Sequence, residues 1–273
     1  MRRGLLVLSG AIGFVLFVLG AVVITGWHLD LMGLVRVRPG FPPMQYATAM
    51  AFLLGGLGLL ACVGGYRKVS AVCGGLILLF GGAFVVEVFL GRPLAVNAWV
   101  EAVPFIPHGH PGRPAPLTSI TWSLGGCLLL LLGAHEAPKR LRSPVLWMGG
   151  MAILFLCLMK LMSYFVGFIG AYAWGDYVGM AFHTSVGLAL FAVGLLAAEV
   201  AFDAEGSLLD SRWLPLVVGG ASALAVVLVG EGLRIDQYHQ MEEKARLVAE
   251  TLRHQVLTRV ATRLQEIDRM AHR

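Results

Sequence analysis

Seven apolar stretches of roughly 20 residues, at 5–25, 46–65, 70–90, 118–135, 145–169, 179–200 and 213–231, constrain this chain more than any motif in it. In hydrocarbon the backbone has no water to bond, so its N–H and C=O groups must pair within the segment. A succession of such stretches therefore predicts an all-α membrane protein with seven transmembrane helices. Composition agrees: 58% of residues are hydrophobic, 14% are charged and the mean hydropathy is +0.78. The first stretch, though preceded by Arg2 and Arg3, reads as an uncleaved anchor because no small-residue cleavage site follows before Trp27.

Basic residues in the short flanks set an orientation. Arg2, Arg3, Arg67, Lys68, Lys139, Arg140, Arg142 and Arg212 fall on one side, against Arg36, Arg38, Arg92 and Arg113 on the other. By the positive-inside rule the N-terminus is cytoplasmic, and seven crossings leave the segment after Gly232 outside. The formal charge of +5 is spread over these flanks and the tail, so the expected partner is a lipid bilayer and not nucleic acid. Cys62, Cys73, Cys127 and Cys157 lie in apolar runs without CxxC or Cys/His spacing, which predicts neither a disulfide framework nor a zinc site.

Three segments repeat one pattern: "MQYATAMAFLLGGLGLLA" (44–61), "PLTSITWSLGGCLLLLLG" (116–133) and "MAFHTSVGLALFAVGLLA" (180–197). Thr48, Thr118 and Thr184 hold matching places, and each segment is followed by a loop and a second helix, two of which end alike in "EVFLG" and "SYFVG". The sequence thus predicts one leading helix plus three repeated hairpins, all in the same topological sense. The threonines either cap these helices or bond back to carbonyls one turn earlier.

Charges inside a bilayer are costly and mark candidate sites. Glu87 falls near the outer end of the third span, Lys160 in the outer half of the fifth and Glu231 at the outer end of the seventh. Either glutamate is placed to neutralise Lys160, or Lys160 snorkels to the interface. The loop "GRPLAVNAWVEAVPFIPHGHPGRPAP" offers Trp99 with the pair His108 and His110, and His28 and His183 fall near the same face. Glu87, Lys160, Glu231, Trp99, His108, His110 and His183 are therefore the ligand-binding candidates. His108 and His110 form a weak metal motif, and the pattern predicts no cofactor. No nucleophile elbow, phosphate loop or HExxH occurs, so no enzyme activity is expected of these residues.

From Gly232 the composition changes. "LRIDQYHQMEEKARLVAETLRHQVLTRVATRLQEIDRMAHR" carries eight Lys/Arg and six Asp/Glu and no Pro or Gly, which predicts a long extracytoplasmic helix. Met241, Ala245, Val248, Leu252, Val256, Val260, Leu264, Ile267 and Ala271 recur every three or four residues, about 3.75 on average, in one apolar stripe. Such a stripe needs a partner: a second copy of the chain, making a homodimer, or a further domain.

The terminal "RLQEIDRMAHR" resembles the start of CHASE-type extracellular sensor domains, where a leading helix is followed by an "RmA.RW"-like sequence. The hairpins resemble the membrane-embedded MASE-type regions that precede such domains in bacterial sensor histidine kinases and diguanylate cyclases. The resemblance implies a transmembrane sensor domain at 1–231 and the beginning of a CHASE-type domain at 232–273. It further implies an inner-membrane sensory input module of a signal-transduction receptor, with an unidentified small ligand and an output domain elsewhere. The residues also admit a second function, a small-solute or ion transporter or channel using Glu87, Lys160 and Glu231.

Overall fold

The computed structural model describes residues 2–38, 41–90, 94, 114–134, 139–165 and 179–202, with isolated positions and the short run 247–254 between 219 and 257. Its elements are α1 (Arg2–His28), the short α2 (Met32–Val35), α3 (Tyr46–Val63), α4 (Arg67–Leu90), α5 (Pro116–Gly133), α6 (Lys139–Phe165) and α7 (Phe182–Phe202). Six of these are long and apolar enough to cross a membrane. They coincide with the first six expected spans; the seventh, 213–231, lies outside the described residues apart from Gly219 and Val226, which are helical.

Local chemistry explains the boundaries. Pro116 stands at the first turn of α5, where its missing N–H costs nothing. Between α3 and α4 the chain reverses through Gly64 and Gly65; Gly65 has φ +84, a conformation that strains any residue with a Cβ.

The six long helices close into a ring in the order α1, α3, α4, α5, α6, α7 and back to α1. Within it α3, α5 and α7 touch one another around a central axis, and α1, α4 and α6 lie in the outer grooves. Burial separates the layers: the inner helices bury 56%, 61% and 67% of their spans, the outer ones 33% each. Large apolar side chains such as Val7, Phe14, Leu79, Phe89 and Phe165 face outward, as lipid contact requires.

All three outer helices bury the same ladder. In α1 it is Ser9, Ile12, Gly13, Leu16, Gly20, Val23 and Gly26; in α4, at identical spacing, Ser70, Cys73, Gly74, Ile77, Gly81, Phe84 and Glu87. In α6 it is Leu146, Gly149, Gly150, Ile153, Cys157, Lys160 and Ser163. The threefold repeat expected from sequence is therefore present in the packing, with one change of phase. Contacts are most extensive within α1/α3, α4/α5 and α6/α7, so each unit is an outer helix followed by an inner one. What reads in sequence as a leading helix is the outer member of the first unit.

Glycine sets how close each pair comes. A Cβ on Gly20 would lie 2.6 Å from the Ala49 carbonyl oxygen, and one on Gly56 2.5 Å from that of Gly13. In the second unit a Cβ on Gly126 would lie 2.7 Å from the Gly74 carbonyl oxygen, and one on Gly133 2.7 Å from the Ala71 nitrogen. These are backbone-to-backbone contacts. Lipid tails are as apolar as leucine, so such close packing is what favours helix association in a bilayer.

Along the axis the inner helices stack in layers. Thr48, Thr118 and Thr184 form one, all about 2% exposed. Below it Phe52 meets Trp122 edge-on with ring centroids 4.8 Å apart, and Phe191 meets Trp122 at 5.3 Å. Phe191 lies over Gly55 and Gly125, one large side chain opposite two glycines. Leu59, Leu129 and Leu195 follow, all essentially inaccessible. The axis is thus filled by side chains from the threonine layer to the leucine layer.

Candidate functional site

Polar groups gather at the two ends of this packed axis. At the threonine end, Lys160 and Glu87 are 1% and 3% exposed, so two of the three expected intramembrane charges lie inside the protein. The alternative in which Lys160 snorkels outward is overturned: α6 places it on the buried ladder. The ladder shows what is unusual about them. Lys160 takes the place that Phe84 and Val23 hold in the other units, and Glu87 that of Ser163 and Gly26.

Around Lys160 the surroundings are aromatic and hydroxylic. Its Nζ lies 5.1 Å from the centre of the Tyr164 ring. Tyr164 donates a hydrogen bond from its hydroxyl to the Met180 carbonyl, tying the end of α6 to the approach of α7, and packs against Phe41 and Phe182. Ser163 donates to the Lys160 carbonyl at 2.7 Å. A cation over an aromatic face gains roughly 2 kcal/mol when desolvated, which offsets part of the cost of burial.

The hydroxyl residues of the inner helices divide the work expected of the threonines. Back-bonds to carbonyls one turn earlier are made by Ser119 to Ala115, Ser185 to Ala181, and Thr121 to Leu117 at 2.6 Å. Ser119 and Ser185 are equivalent in the repeat and face their outer helix, whereas Thr48, Thr118 and Thr184 face the axis. Gln45 precedes α3 without a side-chain cap, as Ala115 does α5.

Of the four histidines singled out by sequence, His28 and His183 are among the described residues. His28 meets the Tyr46 hydroxyl at 3.3 Å, beside the Trp27 indole, which donates to the Met44 carbonyl. His183 is half-buried on α7 beside Val35. Among the described residues no three His, Cys, Asp or Glu side chains are grouped to hold a metal ion. Trp99, His108, His110 and Glu231 lie outside the described residues, as do Val256, Val260, Leu264 and Ile267. Met241, Val248 and Leu252 are helical and exposed.

At the opposite end stands a pair that hydropathy hides. Arg142 of α6 donates to Glu199 of α7 at 3.3 Å, and both are buried. In sequence Arg142 counts as one of several flanking cations and Glu199 sits unremarked in an apolar span. An acidic residue within the run 179–200 was the signal. Glu199 occupies the place of Gly133, so the third unit joins its helices by an ion pair where the second uses backbone contact. Arg67, at the start of α4, stacks on Phe202 of α7 at 5.2 Å, closing the same end of the bundle.

The chain matches no model of a protein family, no curated protein and no solved structure.

Proposed function

We propose that this chain is the membrane-embedded sensory input module of a bacterial signalling receptor. In this reading it lies in the inner membrane with its N-terminus cytoplasmic. It is of the MASE-like kind and leads into a CHASE-type segment, and the exposed stripe of Met241, Val248 and Leu252 pairs with a second copy. The observation that carries the reading is where the bundle departs from its own repeat. Lys160 and the Arg142–Glu199 pair, interior charges at the two ends, both fall in α6/α7, the last of the three described units before the expected seventh span and the tail. A stimulus felt at Lys160 reaches the tail through α7 and the expected seventh span, and small helix shifts suffice to pass it on.

Spin labels at Leu252 in the full chain, reconstituted in nanodiscs, test this. The unmodified protein gives a defined label-to-label distance within a dimer, and Lys160→Met shifts it. A monomer, or a dimer whose distance ignores Lys160→Met, sinks the reading.

A second reading, transport along a path using Glu87, Lys160 and Glu231, draws on the burial of two ionisable side chains in the membrane. The aromatic and leucine layers that fill the axis count against a central path. Proton or potassium flux in proteoliposomes, abolished by Lys160→Met, would establish transport.

A further inference from the structure

The third unit differs from the other two in how its helices meet, and the differences lie along the length of α6. In the first two units a Cβ added at Gly20 or Gly126 runs into the partner's backbone. In the third, Gly150 faces the side chain of Leu196, Cys157 stands where Gly20 and Gly81 stand, and Ala192 where Gly56 and Gly126 stand. Side-chain contacts can rearrange by changing rotamers, whereas a backbone-to-backbone contact has no rotamer to change. α6 also has the least extensive contact with its other neighbour, α5, of any adjacent pair in the ring.

Its foot is held differently. Arg142 is pinned to Glu199 there, two residues before Pro144, which interrupts the hydrogen-bond ladder of α6. A proline inside a helix removes one N–H, and sharp helix bends are found most often at proline.

We propose that α6 is a lever: the Arg142–Glu199 pair pins its foot to α7, Pro144 is the pivot, and the length bearing Lys160 swings against α5 and α7. This deepens the sensory reading above, and rests on it, by naming the element that moves. The upper α6 contacts are the ones a stimulus rearranges. The pair at the foot keeps the movement a tilt and prevents the helix from sliding as a whole.

Pairs of spin labels carried on noncanonical residues, which leave the four cysteines untouched, test this in the full chain in nanodiscs. Leu79 with Met162 reports the upper part of α6, Val72 with Met148 the turn next to the pivot, which follows its foot, and Phe14 with Leu79 the rest of the bundle; all these side chains are exposed. The upper distribution is expected to be broader than the foot's by about 2 Å, the scale of signalling helix shifts. Pro144→Ala narrows the upper pair to the width of the foot. Glu199→Gln broadens the foot, the swap of Arg142→Glu with Glu199→Arg restores it, and the Phe14–Leu79 pair stays unchanged throughout. Equal widths in the unmodified protein, no effect of Pro144→Ala, or broadening of all three pairs by Glu199→Gln would overturn the lever. None of these measurements involves the tail, so a lever without a tail response refutes the sensory reading alone.

Discussion

The α4/α5 and α6/α7 units bury the same ladder of positions yet hold together by different means. In α4/α5, Gly74, Gly81, Gly126 and Gly133 bring two backbones into contact along the pair. In α6/α7 the equivalent positions of three of these carry Cys157, Ala192 and Glu199, and the helices meet through side chains and an ion pair. One arrangement gains dispersion contact with no side-chain entropy to lose, since glycine has no rotamers to fix. The other gives up some of that contact and gains chemistry: a carboxylate and a guanidinium at one end, an ammonium at the other. Within a single repeat the molecule thus contains one unit closed by backbone contact and another closed by side chains.

The contrast breaks most readily at Gly126. Leucine there must push α4 and α5 apart, because the Cβ alone would come within 2.7 Å of the Gly74 carbonyl oxygen. Overpacking of this kind costs about 3 kcal/mol or more, and the expected result is loss of the monodisperse folded peak from detergent extracts on size-exclusion chromatography. A normal yield would mean that the backbone contact is not what holds the second unit.

A gentler exchange moves the third unit's residue into the second. Gly81→Cys places a Cβ 2.8 Å from the Ser123 hydroxyl and 3.0 Å from its nitrogen, and should cost about 1–2 kcal/mol. Cys157→Gly, the reverse exchange, removes a buried side chain from an interface not built for contact and costs about 1 kcal/mol for the small cavity left. Unfolding in mixed micelles ranks the two; a stabilising Gly81→Cys would show that the second unit has slack after all. The smallest effect is expected at Gly75, on the face of α4 away from the bundle. A Cβ there meets nothing within 4 Å, and Gly75→Ala should leave stability within about 0.5 kcal/mol or raise it slightly through helix propensity.

Much of the architecture is legible in particular residues. Hydropathy placed the six described spans, and Thr48, Thr118 and Thr184 marked the three inner helices, because residues facing a shared axis have similar surroundings in each unit. The outer ladder was not legible. Its members differ in kind from unit to unit, as at Val23, Phe84 and Lys160, so only shared burial shows that they correspond. Of the site, Glu87 and Lys160 stood out as charges in apolar runs, whereas Arg142 resembled any flanking cation until the fold set it against Glu199, 57 positions away.

What the sequence determined by itself is that the chain forms membrane-length helices: each apolar run must satisfy its own backbone, and helix is the local solution. Which helices lie inside was left to the tertiary structure. In a soluble protein hydropathy separates core from surface, but here lipid and protein interior are both apolar, and inner and outer spans alike have strongly positive mean hydropathy, between 1.5 and 2.7. The choice rests on shape, on where glycines let backbones approach and where Phe191 fills the space over Gly55 and Gly125. It becomes visible only once the helices are packed.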